Sequence, residues 1–169
     1  MRLRFGINAD NSKSVVLIAL RMNDVVPTQA IRGLVENNEF IVISTFALPF
    51  NAKDGVHVLG PEWRSSQFPD ILAISDLVIS KLGYGIVSEC IAAQKPLIYI
   101  PRVDFAEYEV LRNGSSGLLH SHLMPKDDFL EGKWYGHAKA CLSRSFDWQK
   151  VRTDGADIAA GVILSYGRR

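Results

Sequence analysis

Apolar residues in this chain fall in short unbroken runs, separated by polar stretches with helical spacing. The runs at Ser14–Leu20 (SVVLIAL), Phe40–Phe46 (FIVISTF), Val56–Leu59, Leu77–Ser80 leading into Lys81, Leu97–Ile100 and Leu118–His120 read as strands. Runs that are continuous rather than alternating are what strands covered on both faces require. Between them, Thr28–Glu36 fits a helix opened by Pro27, with Ile31, Leu34 and Val35 facing a core. Pro69-Asp70 opens a short helix through Ile71, Leu72 and Ile74. Gly85–Ala93 puts Ile86, Cys90 and Ile91 on one side and is stopped by Lys95-Pro96. A further helix runs from about Ala106 to Arg112, where Asp104 and Glu107 have capping-box spacing. Helical patterns close the chain at Lys133–Leu142 and Ile158–Tyr166. Strands alternating with helices across short loops predict an α/β fold with an open, mainly parallel sheet of about six strands and helices on both faces.

This predicts a single Rossmann-like domain over 1–169, with its core at about 14–165 and 1–13 as a polar lead-in. No internal repeat or linker interrupts it. The centre is Leu77–Ile100, a strand, glycine turn, helix and strand that make a parallel βαβ unit. The turn Lys81-Leu82-Gly83-Tyr84-Gly85 carries the chemistry. A helix starting at Gly85 aims unpaired N–H groups and a positive dipole end into the loop, and bare glycine backbone lets an anion approach, with Lys81 adding charge. Alternatively, Gly83 and Gly85 only permit a tight turn with positive φ. GYGIVS is not a GxGxxG match, because Ser88 stands in the third glycine's place. Ser88 and Glu89 lie toward the loop edge. There the Glu89 carboxylate could accept hydrogen bonds from a ribose diol, or sit solvated near the helix N-terminus. In the next loop Arg102 meets a phosphate or solvent, and Glu107 meets sugar hydroxyls or completes a cap. Trp63 and Phe68 stack on a base or pack onto the sheet. Asp104 and His120 are the remaining acid–base candidates, and no catalytic residue is assigned.

The 169 residues suffice for one domain with a good core, and 47% hydrophobic with 22% charged residues is ordinary globular composition. A net charge of +1 gives no nucleic-acid footprint. No apolar run reaches the ~20 residues of a membrane helix, and MRLRFGINADNSKS lacks a signal-peptide apolar core, so a cytoplasmic location is expected. Cys90 and Cys141 read as packing thiols. Among the histidines, only His120-Ser121-His122 has metal-like spacing, and it lacks a third ligand nearby, so no metal is expected.

The run ISDLVISKLGYGIVSECIAAQKPLIYIPRVDFAEYEVLRN resembles the C-terminal, donor-binding half of GT-B glycosyltransferases. It is similar to the MurG-like family and to the glycosyltransferase-like segment of arabinokinases. Asp76, Lys81, Gly83, Gly85, Ser88, Glu89, Pro96, Phe105 and Glu107 match the family layout, and TDGADIAAGVI resembles its last helix. The likeness spans about Val15 to Leu164 and is specific around 76–107. It implies that Lys81, Gly83, Tyr84 and Gly85 hold a diphosphate and that Ser88 and Glu89 hold the ribose of a UDP-sugar. It further implies that Arg102 and Glu107 face the sugar and that backbone at Gly60 and Pro61 meets the base. No cofactor or metal is implied, because helix dipoles and donors replace a cation at the leaving diphosphate. The partners implied are a nucleotide sugar and an acceptor-binding domain or partner chain, with self-association through the face left open. Two departures stand out. Arg21-Met22-Asn23-Asp24 replaces a glycine-rich loop after the first strand, and the chain has room for one of two GT-B halves. Transfer therefore requires a separate acceptor domain, and this chain alone is expected to be inactive. The alternatives are a non-catalytic nucleotide-binding module and the donor half of a UDP-sugar epimerase.

Overall fold

The computed structural model describes residues 5, 7, 12–20, 25–60, 63, 65–102 and 104–166. The loop 21–24, Pro61 and most of the lead-in lie outside them. Six strands, β1 (Ser14–Ala19), β2 (Phe40–Ser44), β3 (Val56–Val58), β4 (Leu77–Lys81), β5 (Leu97–Ile100) and β6 (Ser121–Leu123), form one sheet in the order β3-β2-β1-β4-β5-β6. Every neighbouring pair is parallel. Helices α1 (Thr28–Val35), α2 (Phe68–Ile74), α3 (Tyr84–Ala93), α4 (Tyr108–Ser115), α5 (Lys126–Leu130), α6 (Trp134–Leu142) and α7 (Gly155–Tyr166) complete the chain.

The side-chain alternation of the strands divides the core in two. Val16, Ile18, Val42, Leu77, Ile79 and Ile98 face α1, α5 and α6, where Trp134 is fully buried. Val15, Leu17, Ile41, Ile43, Val78 and Tyr99 face α2, α3 and α4. Burial on both faces is why the strands read as unbroken apolar runs. Asp76 fastens the start of β4 to β1. Its Oδ2 accepts from the Val15 N–H at 2.7 Å, and its own N–H donates to the Val15 carbonyl at 2.8 Å.

Four local expectations are corrected. The last strand is Ser121–Leu123, three residues beyond Leu118–His120. Leu118 and Leu119 instead donate their N–H groups to the Ser115 carbonyl as α4 unwinds, and Leu119 is buried against the sheet. Second, α4 starts at Tyr108, and no Asp104–Glu107 capping box forms, because Glu107 itself is the N-cap and makes no side-chain cap bond. Third, α3 begins at Tyr84 with Gly83 as its N-cap, and Val87 and Cys90 are its buried residues while Ile86 and Ile91 are half-buried. Finally, the lead-in is not wholly peripheral, since Ile7 is buried in the α2–α4 cluster. The short helix α5 has no counterpart in the sequence reading.

α3 ends where expected, by a mechanism specific to its sequence. Gln94 takes a left-handed conformation (φ 53°), and the Lys95 N–H reaches back to the Cys90 carbonyl at 2.9 Å. That is a Schellman-type stop, and Pro96 then prevents further helix.

Candidate functional site

The chain winds from β1 outward to β3, returns to β4 beside β1, and then winds the other way to β6. The helices that follow β1 and β4, α1 and α3, lie on opposite faces of the sheet, which opens a crevice at the carboxyl ends of these strands. A cleft of about 280 Å³ occupies this place, and Thr45, Trp63, Phe68, Ser80, Gly85 and Glu89 are among its lining residues. The Ser80 hydroxyl donates to the Ala19 carbonyl at 2.6 Å and locks the two strand ends together under the cleft.

The β4–α3 turn forms one wall. Gly83 is extended (φ −160°, ψ 156°), a conformation any residue adopts, and Gly85 lies inside the helix. Neither has positive φ, so the tight-turn explanation of these glycines does not apply here. A Cβ built at either position meets nothing within 4 Å. The backbone of a ten-residue helix N-terminus is thus left bare toward open space, with the N–H groups of its first turn unpaired within the helix. Lys81, the last residue of β4, is half-buried beside it.

Glu89 lies one turn along α3 and contributes to the cleft. Its carboxyl is held above the usual carboxylate range by burial. Among the described residues it makes no hydrogen bond or ion pair. Ser88 and Glu89 are both exposed, and the Ser88 hydroxyl donates to the Gly85 carbonyl at 2.9 Å.

The β5–α4 loop supplies the other side of the turn. The Arg102 guanidinium packs over the Phe105 ring, 4.5 Å from its centroid, and Nη1 donates to the Leu82 carbonyl at 3.3 Å. Nε lies 3.6 Å from the Asp104 carboxylate. Arg102 therefore braces the glycine turn from below. Phe105 in turn meets Tyr84 edge-on at 6.3 Å. Burial and the hydrogen-bonded carboxylate of Glu107 raise the pKa of the Tyr84 phenol. So Lys81, Gly83, Tyr84, Gly85, Glu89, Arg102 and Glu107 come together at one edge.

Gly60 lies apart from them, half-buried at the end of β3 in a neighbouring hollow with His57 and Phe50. It is coupled to the cleft through Trp63, whose N–H donates to the Gly60 carbonyl at 3.0 Å. Pro61 lies outside the described residues. Of the acid–base candidates, Asp104 is exposed beside Arg102, and His120 is buried against Phe146 (stacked, 5.3 Å) away from the cleft. Thr45 and Ser80 were missed in sequence, although each is a polar residue at the carboxyl end of an apolar strand run. Among the described residues no group of three or more His, Cys, Asp or Glu is gathered as metal ligands. No helix among them is long and apolar enough to cross a membrane.

The Rossmann-like fold, a six-stranded parallel sheet with helices on both faces, matches single domains of solved GT-B glycosyltransferases. A calicheamicin glycosyltransferase superposes on 81% of this chain and 36% of its own (TM-score 0.57, 15% identity). The UDP-GlcNAc 2-epimerase of Neisseria meningitidis superposes on 97% and 47% respectively (TM-score 0.59, 17% identity).

Sequence relatives narrow the class. No family model matches the chain. The L-arabinokinase of Arabidopsis thaliana is 32% identical over 100 residues, 59% of this chain and 10% of that protein. A UDP-N-acetylglucosamine–N-acetylmuramyl-(pentapeptide) pyrophosphoryl-undecaprenol N-acetylglucosamine transferase of Bacillus cereus is 44% identical over 45 residues, 27% of this chain and 13% of that enzyme. The chain is thus a homologue of MurG-type transferases and of L-arabinokinase, and the matches span about a tenth of those relatives' length.

Proposed function

We propose that this chain is the donor domain of a GT-B glycosyltransferase and binds a UDP-sugar in the cleft between β1, β4 and α3. The observation that carries this is the pair Gly83 and Gly85. Neither needs to be glycine for its own conformation or packing, and both leave bare backbone at a helix N-terminus on the topological switch. The diphosphate sits over this turn, with the first-turn N–H groups of Tyr84 and Gly85 and the Lys81 ammonium countering its charge. Glu89, on the cleft wall and without a hydrogen-bond partner among the described residues, accepts both ribose hydroxyls. Ser88 bonds its own helix and supports rather than contacts the ribose. Backbone near Gly60 and Pro61 meets the base. Glu107, held toward the turn through Tyr84, faces the sugar, while Arg102 holds the turn in shape.

The protein supplies charge stabilisation at the leaving diphosphate through oriented N–H groups and a cation, without requiring a metal. Transfer to an acceptor needs a second domain. A second reading, the donor half of a UDP-sugar epimerase, is favoured by the near-complete overlay on the Neisseria meningitidis enzyme. A thermal-shift screen against UDP, GDP, ADP and their common sugar conjugates tests the binding. A ligand at ~100 times its dissociation constant adds about 2.7 kcal/mol of stability. The expected result is a shift selective for UDP conjugates and absent in Glu89→Ala. Equal shifts in both proteins would remove Glu89 from the site. Incubating the assembled protein with UDP-GlcNAc, with and without acceptor, separates transfer from epimerisation.

A further inference from the structure

The loop and first turns after β5 hold more carboxylates than cations. Arg102 and Arg112 stand against Asp104, Glu107 and Glu109. Each arginine has a carboxylate of its own. Arg102 lies 3.6 Å from Asp104, and its remaining contacts are the Leu82 carbonyl and the Phe105 ring. Arg112 pairs with Glu109 at 2.8 Å, one turn along α4. Glu107 is the carboxylate left over. Among the described residues it has no ion-pair partner. It is also the N-cap of α4, yet its side chain makes no cap bond. A carboxylate in that position ordinarily turns back to the first-turn N–H groups.

Glu107 meets the Tyr84 phenol instead. That phenol is a neutral donor, and burial together with the neighbouring carboxylate raises its pKa. Tyr84 is itself held in place. Its ring meets Phe105 edge-on (6.3 Å, 86°), and Phe105 carries the Arg102 guanidinium 4.5 Å from its centroid. The ladder of Arg102, Phe105 and Tyr84 ties the β5–α4 loop to the first residue of α3 and keeps Glu107 beside the glycine turn. The edge is therefore graded in charge. The helix N-terminus and Lys81 make the turn positive, and Glu107 makes the ground beyond it negative. A nucleotide sugar is graded in the complementary sense, an anionic diphosphate followed by a sugar.

We infer that Glu107, set in place by Tyr84, selects a sugar without a carboxylate and turns uronates away. This deepens the donor-domain reading and rests on it. A sugar hydroxyl can donate to the Glu107 carboxylate. A uronate carboxylate has no proton to donate at neutral pH, and it brings a like charge to a place where both loop arginines are already engaged. Specificity then comes from a repulsive element as much as from the hydrogen bond.

Calorimetry on the full protein with two matched pairs of donors tests this. One pair is UDP-glucose and UDP-glucuronic acid, the other UDP-galactose and UDP-galacturonic acid. Within each pair the sugars differ only at C6, a hydroxymethyl group against a carboxylate. The uncharged member should bind about tenfold or more tightly than its uronate, the order expected of two like charges at ~4 Å near a protein surface. That ratio should shrink as salt rises. Glu107→Gln keeps the size and removes the charge. It should bring the ratio to within about threefold and abolish its salt dependence. Tyr84→Phe keeps the ring and the backbone, and should lower the ratio at least about twofold by letting the carboxylate swing away from the turn. The readout is a ratio within one protein, so a general weakening of a variant cancels. A uronate bound as tightly as its uncharged partner, or a ratio that survives either substitution, would overturn the inference. If UDP still binds and Glu89→Ala still abolishes that binding, the donor-domain reading stands without it. Failure of UDP and all four conjugates to bind would remove both.

Discussion

The two edges of the sheet differ in size and in chemistry, and the differences run in opposite directions. At the amino edge two hollows of about 550 and 440 Å³ open around Lys13, Asn38 and Phe40. The carboxyl-edge cleft is about 280 Å³. Yet polar groups at the amino edge already serve one another. The Glu39 carboxylate accepts from the Tyr135 hydroxyl at 3.0 Å and from the Lys139 ammonium at 2.8 Å. Asn51 and Asp54 close a capping box. At the carboxyl edge the helix N-terminus is bare, and Glu89, on the cleft wall, makes no hydrogen bond or ion pair among the described residues. A carboxylate on the cleft wall that is not engaged by the described residues is open to a ligand, whereas the polar groups around the larger hollows already bond one another.

The comparison can be broken or sharpened in order of effect. Trp134→Ala should open a cavity in the core cluster between the sheet and α1, α5 and α6. Trp134 is fully buried, with Nε1 donating to the Phe129 carbonyl at 2.9 Å. Its loss should cost about 3–5 kcal/mol in urea unfolding. Glu89→Ala should cost about 1–3 kcal/mol of nucleotide affinity by calorimetry, because it leaves ribose hydroxyls unpaired. Gly85→Val should weaken binding about tenfold or more through steric exclusion of the diphosphate. The Cβ has open space, so its melting temperature should hold. A drop in melting temperature would show that this glycine serves the fold after all.

Acidification should act on the same edge. The Glu89 pKa is raised by burial, so its protonated form is the one the fold favours. Its stabilising effect is present below the ordinary carboxylate pKa and lost as pH rises through the raised value. Binding needs the ionised form and runs the other way. Nucleotide affinity should fall as pH drops through the raised pKa. Glu89→Gln should accordingly raise the melting temperature slightly at neutral pH while losing affinity. Elsewhere, burial lowers the pKa of His57, His120 and His122, so their neutral forms favour the fold. That stability should be lost as pH falls below about 6.5, first seen as a lower melting temperature. The smallest expected effect is Glu39→Ala, an exposed ion-pair change that should leave nucleotide affinity unaltered.

Much of this was legible in the chain itself. Strands buried on both faces write themselves as unbroken apolar runs, and the glycine turn with Glu89 one turn beyond is visible as spacing. The errors have physical causes. Leu118 and Leu119 look like a strand, but Leu119 buries itself as the tail of α4, and the strand that follows is a half-exposed edge, Ser-His-Leu. Lys126–Leu130 is too short to show helical periodicity. Arg102 reads as meeting a phosphate or solvent, but the Leu82 carbonyl and the Phe105 ring engage its guanidinium. Thr45 and Ser80 gain meaning only from the strand order, which places the ends of β1, β2 and β4 around one crevice.

The central claim is that the β4–α3 turn holds the diphosphate of a UDP-sugar. An amide NMR titration with UDP tests it most directly. The account predicts saturable shifts at Gly83, Tyr84, Gly85 and Glu89, with residues 36–39 and 53–55 of the amino edge unmoved, and loss of the response in Gly85→Val. Shifts confined to the amino edge, or a turn unmoved at saturating UDP, would contradict it.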